Sequence, residues 1–191
     1  MTRILAINGS LRRGSHNGAL LRAAAGLLPA GVELVELHAL ARIPAYDEGL
    51  DTMPPPIAVG GLRTALASAD AVLISTPEYN GSIPGQLKNA LDWASRPFPE
   101  NALRAKPAAV IGASTGMFGA VWAQAEVRKV LRTIGADVLD RVLPVAFAHE
   151  RFDAAGRLVD EQLRTAIADV VAALVARARG DGPADHLPIA V

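Results

Sequence analysis

The chain has 191 residues, 51% of them hydrophobic, a length that suits one domain; such a domain would bury about 70% of the surface its unfolded chain exposes. It has no cysteine, which excludes disulfides, thiolate zinc sites, iron–sulfur clusters and cysteine nucleophiles. Lys plus Arg number 19 against 19 Asp plus Glu, and that zero formal net charge argues against a global electrostatic grip on nucleic acid or an anionic membrane.

Residues 3–8 read as a short apolar strand ending in Asn8-Gly9-Ser10. A helix over 16–28 follows, with Leu20, Leu21, Ala24, Leu27 and Leu28 on its apolar face and Pro29-Ala30-Gly31 as its stop. Residues 32–37 form a second strand, and residues 39–56, with Pro44, Gly49 and the run Pro54-Pro55-Pro56, form a loop. A helix over 57–68 leads to a buried strand over 71–75, ended by Thr76-Pro77. Pro84 suits the first turn of a helix running to Ser95. Residues 107–113 are a fourth buried strand, followed by Ser114-Thr115-Gly116 and a helix over 120–134 that Gly135 closes. The last strand spans 138–145, broken by Pro144, and a helix over 160–177 carries Leu163, Ile167, Val170, Val171 and Leu174 inward. One domain is expected over 1–179, with 180–191 as a mobile tail.

Strands and helices alternate throughout, and the strands are continuously apolar rather than alternating. Burial on both faces follows, hence a parallel sheet wrapped by helices in an open α/β fold. Ligands in such sheets sit at the carboxyl ends of the strands, so the loops 9–17, 77–84 and 114–119 belong together. No run of about 20 uninterrupted apolar residues occurs and no leader pattern opens the chain; a soluble cytoplasmic protein is the expectation.

The first loop, Gly9-Ser10-Leu11-Arg12-Arg13-Gly14-Ser15-His16-Asn17, leaves a strand and opens a helix, a place where free N–H groups and the helix dipole favour an anion. No acidic residue precedes Glu33, while Arg3, Arg12, Arg13 and Arg22 do. Gly9 and Gly14 have Walker A spacing, but Ser15-His16 stands where lysine and a hydroxyl are needed, and the G-x-G-x-x-G fingerprint is absent. A hydroxyl-rich loop with one or two arginines suits a terminal monophosphate, such as that of FMN.

The second segment, Pro77-Glu78-Tyr79-Asn80-Gly81-Ser82-Ile83-Pro84-Gly85-Gln86-Leu87-Lys88-Asn89-Ala90-Leu91-Asp92-Trp93, together with the first loop, resembles the NADPH-dependent FMN reductase family of flavin, quinone, azo-dye and chromate reductases. Its two hallmarks are G-S-x-R-x-x-S-x-N and P-E-Y-N-x-x-x-P-x-x-L-K-N-x-x-D-W. The resemblance implies a flavodoxin-like fold with a five-stranded parallel sheet in the order 2-1-3-4-5 and helices on both faces. It implies that Ser10, Arg12, Ser15 and Asn17 hold the FMN phosphate. It further implies that Pro77, Glu78, Tyr79 and Asn80 line the isoalloxazine, and that Ser114, Thr115, Gly116 and Met117 flank its pyrimidine edge. Where the family often has a Gly-Gly pair opening the fourth helix, this chain has Gly119-Ala120.

The implied activity is NAD(P)H-dependent reduction of FMN and then of a quinone or free flavin, in ping-pong order. No side-chain acid or base is required, since the cofactor carries the chemistry, and the helix N-terminus at 114–120 is expected to steady negative charge on the ring. The rival is a flavodoxin-type electron carrier, for which a neutral chain is a poor match; a flavin-free module on the same fold is a second. Gly112-Ala113-Ser114-Thr115-Gly116 has nucleophile-elbow spacing, but a hydrolase would leave the first two loops unexplained. His16, His38, His149 and His186 are scattered, so no metal site is expected. A homodimer or homotetramer with the flavin near its interface is expected, with Leu87, Leu91, Trp93 and the Pro97-Phe98-Pro99 loop as interface material.

Overall fold

The computed structural model describes residues 1–181. Its strands are β1 (Thr2–Asn8), β2 (Val32–Glu36), β3 (Ala71–Thr76), β4 (Pro107–Ala113), β5 (Asp137–Val138) and β6 (Leu143–Val145). Its α-helices are α1 (His16–Ala25), α2 (Ile57–Ala67), α3 (Gly85–Ala94), α4 (Val121–Ile134), α5 (Ala148–Arg151) and α6 (Glu161–Arg179). All strand pairs are parallel, in the order β2-β1-β3-β4-β5, with β6 also on β4. This is the flavodoxin-like order expected.

Strand alternation sorts the core into two layers. Ile4, Ala6, Leu73, Ala109 and Ile111 pack against α1 and α6, while Leu5, Ile7, Val72, Ile74 and Val110 pack against α2, α3 and α4. β3 is buried at every position, which is why it reads as an unbroken apolar run.

The fifth strand position differs from the expected continuous strand. It is two pieces along one edge of β4, pairing Ala108 with Val138 and then Gly112 with Pro144. Leu139 N still donates to Ala108 O at 2.8 Å, and residues 140–142 then leave the ladder where side chains of α4 reach the backbone: Arg128 Nη1 donates to Arg141 O at 3.2 Å, and Gln124 Oε1 accepts from Leu143 N at 3.3 Å. Pro144 therefore does not break the strand; it lies within β6, where an edge position needs no N–H. The first helix also ends earlier than expected, at Ala25, with Gly26 N donating to Arg22 O.

α3 turns its motif residues inward. Leu87, Leu91 and Trp93 are buried, so these side chains are core rather than the interface material expected of them. Their spacing puts them on the sheet-facing side, and Trp93 Nε1 donates to Pro44 O at 2.9 Å. Gln86 and Asn89 hold the same 40–46 stretch, Gln86 through Leu40 O at 2.7 Å and Asn89 through Tyr46 N at 2.7 Å. Phe98 does remain exposed. The expected tail falls outside the described residues except for Gly180 and Asp181, which cap α6 through Arg177 O and Ala176 O.

Candidate functional site: three loops at the carboxyl edge

The loops after β1, β3 and β4 leave the same edge of the sheet. Ser15 starts α1 as its N-cap, its Oγ accepting from Gly18 N at 3.0 Å. Ser10 Oγ accepts from Arg12 N at 3.4 Å, and Ser10 N donates to Asn8 Oδ1 at 3.1 Å. Ser10 and Ser15 are 7% and 4% exposed. Both hydroxyl oxygens act as acceptors here, so both O–H protons remain for a ligand. Among the described residues, nothing accepts from the backbone N–H groups of Leu11, Gly14, His16 or Asn17. Two hydroxyls, a run of free N–H groups and the exposed Arg12 and Arg13 form a donor set without an acid, which fits a phosphate.

Asn17 lies at the same helix start, but its side chain points into the sheet. Its Oδ1 accepts from Ser75 Oγ at 2.9 Å and from Ala113 N at 3.0 Å, and its Nδ2 donates to Ala113 O at 2.9 Å. His16, beside it, stacks on Phe152 at 6.2 Å. Burial, then the charge of Arg12 and then His149, push the His16 pKa below its ordinary value.

In the second loop, Tyr79 and Ser82 exchange two backbone hydrogen bonds of 3.1 Å around Asn80 and Gly81, whose φ angles are 54° and 73°. That is a hairpin turn of the kind Asn-Gly favours, so Asn80 shapes the loop. Glu78 Oε2 accepts from Trp122 N and Ala123 N, both at 3.0 Å. In return Glu126 Oε2 accepts from Ser82 Oγ and from Ile83 N, which holds its carboxyl below the usual range. The second loop and α4 are thus joined by one carboxylate from each side.

The third loop is tied to the turn after β6: Ser114 N donates to Val145 O at 3.1 Å, Phe147 N to Gly116 O at 3.2 Å, and Ala148 N to Ser114 O at 3.0 Å. Gly119 has φ 57°, and a Cβ there would stand 2.6 Å from Pro144 C. Ala120 follows at φ 60° and is buried. The departure from Gly-Gly is therefore accommodated at the second position, at a conformational cost of about 1–2 kcal/mol. The expectation that the N-terminus of this helix steadies charge on a ring needs correction. α4 starts at Val121, and Glu78 already occupies the N–H groups of Trp122 and Ala123. The donors left for a ligand here are loop N–H groups, those of Thr115, Gly116 and Met117 and of Phe118, Gly119 and Ala120 after them, from which nothing accepts among the described residues.

Tyr79, Met117, Phe118 and Trp122 stand exposed on these loops, with Phe118 and Trp122 in ring contact at 4.7 Å. A donor set that fits a phosphate, a third loop with free N–H groups and an apolar rim thus lie at one edge of the sheet. The chain matches the NADPH-dependent FMN reductase family over residues 2–150. It belongs to that family.

This FMN reductase is 44% identical over 182 residues to the NAD(P)H-dependent FMN reductase PA1204 of Pseudomonas aeruginosa, covering 93% of this chain and 97% of that one. It is 38% identical over 139 residues to the quinone reductase of Escherichia coli K12, covering 72% of this chain and 73% of that one. Among solved structures it superposes on FerB, the flavoenzyme NAD(P)H:(acceptor) oxidoreductase of Paracoccus denitrificans, with a TM-score of 0.82 and 35% identity, covering 96% and 100% of the two chains. The reductase is an oxidoreductase that binds FMN and takes NAD(P)H as co-substrate.

Sequence reading missed Ser75, Glu126 and the cap made by Glu78. Ser75 had a signal: it is a hydroxyl closing an otherwise apolar buried strand, where a polar group needs a partner. Glu126 had none, because it looks like any exposed helix carboxylate.

Proposed function

We propose that this reductase passes electrons from NAD(P)H through FMN to a quinone or free flavin, and that the nicotinamide leaves before the acceptor arrives. When bound, FMN supplies the chemistry by taking hydride from NAD(P)H and giving electrons to the acceptor. The observation that carries the reading is the buried hydroxyl pair Ser10 and Ser15 among free N–H groups beside Arg12. These residues would hold the phosphate, with Pro77, Glu78, Tyr79 and Asn80 along one side of the ring system and Ser114, Thr115, Gly116 and Met117 along its pyrimidine edge. Asn17 would serve from beneath the phosphate loop. Thr115, Gly116 and Met117 would donate backbone hydrogen bonds, which fix the ring without supplying a proton.

The exposed Tyr79, Phe118 and Trp122 offer flat apolar surface to one planar substrate at a time. Relatives named as quinone reductases, including a 2-hydroxy-1,4-benzoquinone reductase of a Burkholderia, support the acceptor class. Residues 1–179 act as one FMN-binding unit, and in a homodimer or homotetramer the flavin site lies near the interface, where a second copy of the chain walls it beside the aromatic rim. Work in the cytoplasm, where NAD(P)H is kept, belongs to the same proposal. Steady-state kinetics with NADPH and a benzoquinone test it. Parallel double-reciprocal lines are expected; intersecting lines would mean both substrates occupy the site together and would contradict the single-platform reading.

A further inference from the structure

We infer that Ser75 and Asn17 form a buried staple that sets the spacing between the phosphate end and the ring end of the flavin site, and that Asn17 acts through this position rather than by touching phosphate. The inference rests on the FMN reading above.

Ser75 holds the first loop by both ends. Its carbonyl oxygen accepts from Gly9 N at 2.8 Å where the loop leaves β1, and its Oγ donates to Asn17 Oδ1 at 2.9 Å where the loop has become α1. Asn17 then grips the last residue of β4 on both sides, accepting from Ala113 N and donating to Ala113 O. Ser75 is one residue from the end of β3 and two before Pro77; Ala113 immediately precedes Ser114. Two residues, through the Ser75 backbone carbonyl and the Ser75 and Asn17 side chains, therefore tie the three loops to one another at their bases.

Ser75 is wholly buried and Asn17 is 3% exposed. Oδ1 uses two acceptor positions and Nδ2 one donor, so three of the four hydrogen bonds open to the amide are made inside the protein. A buried network satisfied to this degree is rigid and leaves few alternatives. Rigidity at this point serves binding, because loops fixed in advance need not be ordered by the ligand. A residue that merely touched phosphate would matter to FMN and not to riboflavin, which lacks the phosphate. A staple between loops matters to both.

The test is titration of apo-protein with FMN and with riboflavin, for wild type, Ser75→Ala, Ser75→Thr and Arg12→Ala, with visible circular dichroism of each FMN-saturated protein. Ser75→Ala removes the hydroxyl alone and keeps the backbone bond to Gly9. It is expected to raise the dissociation constants of FMN and riboflavin by one common factor, about five- to tenfold, and to change the ring's dichroism. Ser75→Thr, which restores a hydroxyl, is expected to recover both. Arg12→Ala is expected to weaken FMN alone. If Ser75→Ala leaves both affinities and the dichroism unchanged, or weakens FMN alone, the staple is wrong while the FMN reading stands. If wild type binds neither flavin, the FMN reading falls and the staple with it.

Discussion

Glu78 caps helix α4 at Trp122, its Oε2 accepting from the Trp122 backbone N–H at 3.0 Å. The same oxygen accepts from Ala123 N, so one carboxylate from the second loop satisfies two of the N–H groups that a helix start leaves open. The α4 N-terminus also lacks a side-chain cap of its own, since Ala120 precedes it. Glu78→Ala should therefore destabilise the apo-protein by about 1–2 kcal/mol, in the range of a lost N-cap. Glu78→Gln, which keeps an acceptor oxygen, should lose less. Urea unfolding of the three proteins measures this; equal midpoints would mean the cap contributes nothing.

Ala120 sits in the left-handed region without a glycine's freedom. Ala120→Gly should raise stability by about 1 kcal/mol, as the relief of that conformation outweighs the extra freedom of the unfolded chain. Gly119→Ala should do the opposite and lose about 3 kcal/mol or more, because its Cβ would meet the backbone of Pro144 and Val145. Thermal unfolding of both variants checks the pair.

Arg12 is exposed, and its loop carries no acid to neutralise it. Arg12→Ala should weaken FMN binding by about 1.5–3 kcal/mol, the size of one charge-assisted contact. Fluorescence titration decides it, and the difference should shrink as salt is added.

His16 gives the apo-protein a pH dependence of known sign. Its folded pKa lies below the ordinary value of 6.5, through burial, then Arg12, then His149. Above pH 6.5 the ring is neutral in both states and costs nothing. As pH falls through 6.5, the unfolded chain takes up the proton first, so stability is lost from there down to the lowered folded value. His16→Gln should flatten that part of the stability profile, measured by urea unfolding across the range.

The sheet was legible in the sequence because its strands are buried on both faces, and runs such as that over 71–75 admit little else. The split of the fifth strand was not, because it depends on Gln124 and Arg128 reaching from α4 to backbone groups of residues 141 and 143. That Ser10, Arg12 and Ser15 gather at one strand-to-helix turn was legible from their place in the sequence. Asn17 was legible as part of the same turn, but its direction was not: a helix-start asparagine can face a ligand or the sheet, and only the register of Ser75 and Ala113 beside it decides which. Leu87, Leu91 and Trp93 read as interface material, but apolar helix residues serve a core by the same pattern, and the sheet beneath α3 claimed them.

Reduction of bound FMN by NAD(P)H is tested most directly by following the flavin's visible absorbance band in FMN-loaded protein without oxygen. Addition of NADPH alone should bleach the band, and subsequent addition of one equivalent of a benzoquinone should restore it. A band that NADPH and NADH leave untouched, on protein shown to hold FMN, would contradict the account and favour an electron carrier that takes no nicotinamide.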